Sequence, residues 1–254
     1  MSSPNEQQRM SVRARPSARA VMEMQWRDLL FLHWEYPVAV IQATLPAGLQ
    51  VDTFGGKAYL GVVPFFMRNV RPRFVPSVPR LSHFMELNLR TYVHDEAGVP
   101  GVWFYSLDAN QPLAVKIARR FFHLPYEHAV MESSRTKAGA IRYRSLRAGA
   151  ATPTVFEYAA GDVLPEAAPG SLEFFLVERY RLYASAKGRL RRGAVSIRRI
   201  RSAAPRSRPG MKISSRSMVS RPRAGDRITF SSRPGWTCLR SPKRRSLDFR
   251  RGSR

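Results

Sequence analysis

The stretch from Phe84 to Leu107 limits the fold of this chain more than any other. Phe84, Glu86, Asn88, Arg90 and Tyr92 alternate with Met85, Leu87, Leu89, Thr91 and Val93, a period of two that belongs to a β-strand. The turn-forming Asp95-Glu96-Ala97-Gly98 then leads into a second β-type run, Val99 to Leu107. Runs joined this closely pair as antiparallel neighbours, because a parallel crossover needs a dozen or more residues. One face of the first strand is polar and the other mostly apolar. If the polar face points inward, Glu86 and Arg90 are buried charges that need each other or a ligand. If it points outward, they form an ordinary solvated face and Met85, Leu87 and Leu89 fill the interior. The pattern leaves both arrangements open.

The flanking sequence supplies more β-structure and a few helices. Met22 to Trp34 is too apolar for a loop and too short for a membrane span, and reads as a buried strand. Pro37 suits a helical first turn, with Val38, Ile41 and Leu45 at helical spacing until Pro46 and Gly48 stop it. Leu49–Phe54 and Lys57–Phe66 are rich in β-formers, and Gly55-Gly56 between them predicts a two-residue hairpin turn. Arg68 to Pro79, interrupted by Pro72 and Pro76, reads as an irregular surface loop. A helix is expected from Pro112 to about Phe122, capped by Asp108 or Asn110, with Leu113, Ile117 and Phe121 as its apolar stripe. Shorter β-type stretches follow at Tyr126–Glu132, Ala140–Leu146 and Thr154–Tyr158. Ser171 caps a last helix on which Leu172, Phe175, Leu176, Tyr180 and Tyr183 share a face. The sum is a β-rich α+β domain, mostly antiparallel, with two or three helices.

The charge is unevenly placed. The chain carries a net +25, and +18 of this belongs to residues 190–254, where 20 Lys+Arg face 2 Asp+Glu. Three regions follow: a leader over 1–20, whose Arg9, Arg13, Arg15 and Arg19 lack hydrophobic periodicity and which reads as disordered; a domain over 21–190; and a basic low-complexity tail over 191–254, also read as disordered. The tail has two readings. It is the out-of-frame translation of GC-rich DNA, in which case the domain has lost its closing strands, or it is a genuine basic arm that binds nucleic acid by neutralising phosphates. The single cysteine, Cys238, leaves residues 1–189 without a disulfide or a thiolate metal site. With no apolar run near the ~20 residues of a bilayer span, and no apolar core of a secretory signal, the chain is expected to be cytoplasmic and to have no membrane partner. An Arg/Ser-rich, acid-poor start is also the composition of an organelle transit peptide.

A set of blocks carries a resemblance. Trp26-Arg-Asp-Leu-Leu-Phe-Leu-His-Trp34, Leu45-Pro-Ala-Gly-Leu49, Gly61-Val-Val-Pro-Phe65, Glu86-Leu-Asn-Leu-Arg-Thr-Tyr92, Gly101-Val-Trp-Phe-Tyr-Ser-Leu-Asp108, Ala118-Arg-Arg-Phe-Phe-His-Leu-Pro-Tyr126 and Glu178-Arg-Tyr180 occur in this order. The sequence resembles, over about 21–190, the YqjF-like family, domain of unknown function 2071, which has no established activity. That resemblance implies a fold similar to acetoacetate decarboxylase, β-rich and barrel-like around an internal cavity. The decarboxylase works through a lysine whose neutral amine forms a Schiff base with a ketone. There the lysine follows a Gly-Arg-Glu and a Pro, as one of a Lys-Lys pair. The similar segment here, Ala118 to Glu127, places Tyr126 and Glu127 where that pair would fall, and neither can form an imine. The resemblance therefore implies the scaffold without that chemistry. Lys57, Lys116, Lys137 and Lys187 read as solvated surface lysines.

The candidate ligand-binding residues are Arg119, Tyr126, Glu86, Arg90, Ser106, Asp108 and Arg179. Arg119 matches the arginine of the decarboxylase-like segment and is the candidate for holding a carboxylate or other anion, with Tyr126, Ser106 and Asp108 as its neighbours. Arg179, placed on the last helix, has two roles open to it, a salt bridge to the sheet or an acidic ligand. None of His33, His83, His94, His123 and His128 forms a short metal motif, and His33 reads as a core residue. No metal or cofactor is called for, and the catalytic residues and the oligomeric state are unknown. The expected partner is a small molecule, with acidic molecules among the candidates; nucleic acid enters only through a genuine tail, and an enzyme using Arg119 and a nearby acid is a third reading.

Overall fold

The computed structural model describes residues 3–14, 19–163, 165–186 and 188–197, with short strands at 202–206, 218–220, 228–231 and 237–238. The run from Met22 to Trp34 forms two strands, β1 (Met22–Arg27) and β2 (Leu29–Tyr36), divided at Asp28. Asp28 has φ 50°, a left-handed backbone that Asp tolerates better than most side chains. Helix α2 (Val38–Gln42) starts after Pro37 as expected, and β3 (Leu49–Val51) follows.

Gly55 and Gly56 both have positive φ, and Phe54 and Lys57 exchange backbone hydrogen bonds across them, so the two-residue turn is present. The expected hairpin is not. β3 pairs with β5 (Phe84–Asp95) at Val93–Asp95, and β4 (Ala58–Pro72) continues along the same edge of β5, opposite Thr91 to Phe84, instead of folding back on β3. Asp52, whose N–H continues the ladder to the Tyr92 carbonyl and whose carboxylate is buried, is the last residue paired before the turn. The chain leaves β5 there for the Gly55-Gly56 turn alone and rejoins the same edge where Leu60 faces Thr91. β4 also extends into the expected loop, because Arg68 and Arg71 pair along β1 and Arg71 bridges to Glu23 at 2.8 Å.

β5 pairs antiparallel with β6 (Pro100–Ala109). β6 makes parallel pairings with β7 (Tyr126–Arg135) and β10 (Arg181–Ala186). β7, β8 (Ile141–Arg147) and β9 (Thr154–Val163) form an antiparallel meander. β10 pairs with β11 (Arg189–Ile197), so the change in composition at Leu190 falls inside a paired strand. Beyond it, β12 (Ser202–Arg206) lies on β9, and β13 (Met218–Ser220) lies on β2. β14 (Ile228–Ser231) pairs with both β1 and β11, and β15 (Thr237–Cys238) with β11. The path β4-β5-β6-β10-β11-β14-β1 thus leads back to β4. The rest of the 191–254 tail lies outside the described residues. The class is β-rich α+β with a mixed, mostly antiparallel sheet, and no helix among the described residues is long and apolar enough to cross a membrane.

Two helices depart from expectation. α3 (Pro112–Ile117) is capped by Gln111 and passes into a π-helical turn, Ala118–Phe122, that ends at His123 in the left-handed conformation. Asp108 and Asn110 do not cap it: Asn110 accepts from the Met85 N–H instead. The stripe Leu113, Ile117 and Phe121 is exposed. α4 (Leu172–Val177) is capped by Ser171 and stops six residues short of Tyr183, which belongs to β10. A further helix, α1 (Glu6–Ser11), occupies the leader expected to be disordered, with a reciprocal Asn5–Gln8 capping box. It is held by charge more than by apolar contact, which hydrophobic periodicity cannot reveal.

The packing settles the orientation of β5. Leu30, Leu32, Phe66 and Met85 pack outward beneath the meander through Met131, Tyr143 and Phe156. Phe31, Val63, Phe65, Phe84 and Leu107 pack inward. Both faces of the strand are buried, so Met85 and Leu87 find cover without displacing Glu86, Asn88 and Arg90 from the interior.

The β6–β10 pairing depends on Gly101, where a Cβ would stand 2.6 Å from Tyr183 Cε2 and 2.9 Å from the Arg181 carbonyl oxygen. Gly101→Ala should destabilise the domain by about 1–3 kcal/mol through overpacking. A urea unfolding midpoint equal to that of the unsubstituted protein would contradict this packing.

Candidate functional site

A cavity of about 770 Å³ is walled by β1, β2, β4, β5, β6, β10 and β11 and by the α3–π-helical segment. Its lining grades from buried Phe31, Glu86, Arg90, Leu107 and Arg179 to exposed Val75, Val78, Ile117 and Phe121, so it opens at the π-helical turn. Of the expected site residues, Glu86, Arg90, Tyr126 and Arg179 line it.

Ser106, Asp108 and Arg119 do not, and each has a local reason. The β5–β6 register slips between Leu89 and Arg90, so that Leu89 faces Ser106 and Arg90 faces Phe104. Tyr105 is the extra residue of this bulge, and beyond it the alternation of β6 reverses. Val102 and Phe104 face the cavity before the bulge and Leu107 after it, while Ser106 and Asp108 are turned away. There Arg147 donates to both Asp108 oxygens at 2.9 and 3.1 Å and to Ser106 Oγ at 2.7 Å. Arg119 lies on the half-exposed side of the π-helical turn, 2.6 Å from Glu127, while Ala118, Phe121 and Phe122 take the cavity side.

Glu86 is fully buried and accepts a 2.7 Å hydrogen bond from Tyr126 Oη. Burial raises its carboxyl to about 7, and Asp108 adds to this, against the hydrogen bonds from Tyr126 and Asn88. Burial likewise carries the Tyr126 phenol well above its ordinary range, with the Glu86 charge adding to it. Tyr126 is, with Glu127, one of the two residues that the decarboxylase-like segment sets against the lysine pair. Lys57, Lys116 and Lys137 are exposed, Lys187 lies outside the described residues, and no lysine is among the residues lining the cavity.

Arg90 is buried on the wall. One terminal nitrogen, Nη2, donates to Tyr92 Oη and to the Leu176 carbonyl, both at 3.2 Å, and its Nε is buried without a partner. Among the described residues it forms no ion pair; its charge rests against the rings of Phe31 and Tyr92, 5.3 and 5.5 Å from their centroids. An arginine can only donate, so the Tyr92 proton is free to point to His33 Nε2, 2.6 Å away. Burial, then the Arg90 charge, lowers the His33 pKa to about 3, leaving the imidazole neutral. The contact needs Gly61, where a Cβ would stand 3.2 Å from the imidazole and 3.3 Å from Tyr92 Oη.

Arg179 comes from the segment after α4. Its Nε donates to the Phe175 carbonyl and its Nη1 to Asp52 Oδ2, both at 2.7 Å, while Nη2 is buried without a partner. Asp52 also accepts two 2.6 Å bonds from Arg9 of α1. Burial alone would raise the Asp52 pKa; Arg179 and Arg9 outweigh it and hold the carboxyl below its usual range. Two arginines thus share one carboxylate, and with Arg90 this side of the site carries excess positive charge. Asp52, Arg9, Tyr92 and Trp26, whose cavity-lining indole N–H is buried without a partner, were not singled out from sequence. An Asp before Gly-Gly reads as an ordinary turn residue, and only the charged leader hinted at its partner.

These features define a β-rich, cavity-bearing domain of the acetoacetate decarboxylase-like fold. Solved structures of that fold align over most of the chain. Acetoacetate decarboxylase from Legionella pneumophila superposes with a TM-score of 0.58 at 12% identity, covering 94% of this chain and 92% of that one. An acetoacetate decarboxylase-like enzyme from Sphingomonas wittichii RW1 gives 0.55 at 14% identity, covering 88% and 94%. The chain itself belongs to the family of domain of unknown function 2071, described as an uncharacterized conserved protein, whose pattern matches residues 23–231 and so runs past Leu190. It is 40% identical to the uncharacterized protein YqjF of Bacillus subtilis (strain 168) over 178 residues, 69% of this chain and 72% of that protein.

Two outcomes follow from the electrostatics. A carboxyl at 4.5 when unfolded and about 7 when folded makes the native state hold the extra proton between these values. The contribution of Glu86 to stability is therefore greatest below about 4.5, falls as pH rises to about 7 and is constant above. The difference in unfolding free energy between the unsubstituted protein and Glu86→Gln should trace that decline in urea titrations across pH; a difference independent of pH would refute it. Asp52→Asn should cost about 3–5 kcal/mol, since it strands two arginine charges, and should lower the melting temperature more than Arg9→Met does.

Proposed function

We propose that the cavity binds a small organic acid, with its carboxylate held by Arg90 and Nη2 of Arg179 and no Schiff base formed. The observation that carries this is Arg90: a buried guanidinium on a cavity wall, with an unbonded Nε and no carboxylate partner among the described residues. An uncompensated buried charge costs several kcal/mol, and a bound carboxylate would supply both the missing charge and the missing acceptors. The role first given to Arg119 thus passes to arginines inside the cavity. The test compares an acid with its amide of equal length, hexanoate against hexanamide, by calorimetric titration. Hexanoate should bind at least tenfold more tightly, and Arg90→Met should remove that preference while leaving the ligand-free protein at least as stable. Equal affinity for acid and amide would overturn the proposal.

A second reading makes the domain an enzyme, and Glu86 favours it. A carboxyl that titrates near 7 on a cavity wall can both take and return a proton at neutral pH. Glu86 rather than Arg119 would then do the chemistry, exchanging a proton next to the carbonyl of a bound oxo acid. Deuterium uptake from heavy water into 2-oxohexanoate, followed by NMR and lost in Glu86→Gln, would support it; uptake equal to the protein-free rate would exclude it. The nucleic-acid reading rests entirely on 191–254, and the cavity adds nothing to it.

A further inference from the structure

We infer that the acid taken by this cavity has a long or bulky apolar body, of the size of an eight- to twelve-carbon aliphatic acid, and is not a short hydrophilic oxo acid. The inference rests on the carboxylate reading above and concerns the remainder of the ligand. A cavity of about 770 Å³ is of the size that encloses drug-sized molecules. At roughly 30 Å³ for each water-sized group, a six-atom acid would fill under a quarter of it. The space left over is not built for water. Away from Glu86 and the arginines the wall is largely apolar, including Met24, Trp26, Phe84, Phe104, Phe122 and Leu124.

The apolar lining also continues to the surface. Ile117 and Phe121 stand 39% and 63% exposed at the mouth, the same side chains whose helical spacing suited core packing. Their exposure is unfavourable unless something apolar lies against them. An acid seated on Arg90 and Arg179 would run its tail along this wall and reach the mouth with its far end. Methionines at 22, 24 and 67 are among the lining residues. Their flexible thioethers adapt to shape, so such a wall selects for length and apolarity more than for a particular outline.

The test is calorimetric titration of the full chain with the straight-chain acids from butyrate to dodecanoate, below their micelle concentrations, and with decanol. Each added methylene should tighten binding roughly threefold to fourfold until the tail reaches the mouth, where the gain should stop. Phe121→Asp, an exposed position whose change should leave folding intact, should weaken decanoate and leave butyrate unaffected. Acids that bind with no dependence on length would overturn this inference and leave the carboxylate reading standing. Affinity that grows with length, but is equal for decanol and decanoate, would support the apolar cavity and overturn the carboxylate reading. No binding by any acid or by decanol would overturn both.

Discussion

The carboxylate of Asp52 is the point on which several elements converge. It ends the pairing of β3 on β5, receives Arg179 from the segment after α4, and draws α1 onto the domain through Arg9. Arg179 in turn donates to the Phe175 carbonyl, and its guanidinium lies 4.2 Å from the Phe175 ring centroid, so the end of α4 is fastened to the same charge. A fully buried carboxylate is tolerable only with such partners. Because Asp52 is placed by β5, it also places Arg179 on the cavity wall. The leader is therefore part of the electrostatic structure of the site, although α1 contributes nothing to the cavity lining.

Against this compensated cluster, Arg90 stands out by contrast. It lies one alternation from Tyr92 on β5, and its hydrogen bonds go to a phenol and a backbone carbonyl, groups that stabilise a guanidinium without neutralising it. His33 cannot assist, since burial keeps it neutral, and its link to Arg90 runs through the Tyr92 hydroxyl. At another point of the same strand, Glu86 meets the same low-dielectric interior and responds by holding its proton to about pH 7. One strand thus presents a fixed positive charge and a titrating acid to a cavity otherwise largely apolar. Proteins accept such destabilising arrangements most readily where a ligand compensates them.

Much of this was legible in the residues. The alternation of β5, the turn at Asp95, the Gly55-Gly56 turn, the Ser171 cap and the three strands of the meander are local features, each set by side chains within a few positions of one another. The candidates on β5, Glu86 and Arg90, came from the same alternation, and Tyr126 from the decarboxylase-like segment. Ser106 and Asp108 were misplaced because one extra residue at Tyr105 reverses the face of β6, and a bulge leaves no mark in the alternation of polar and apolar residues. Arg119 is a candidate only through its match to the arginine of the decarboxylase-like segment, and the π-helical turn leaves it on the half-exposed side against Glu127. The Gly55-Gly56 turn is local and present, but β3 and β4 lie end to end along one edge of β5 and do not pair with each other, and that depends on a strand distant in the sequence.

The sequence by itself determined the β-rich class, the principal turns and the family, because each depends on residue identity in short blocks. It left undecided which face of β5 is interior, since both faces are apolar enough or polar enough to be buried in some context. Tertiary structure decided that by covering the outer face with the meander, which sends Glu86 and Arg90 inward. It also brought Arg9, Asp52 and Arg179 together across 43 and 127 residues of chain. Coulomb attraction and desolvation act through space, and only the folded chain sets those distances.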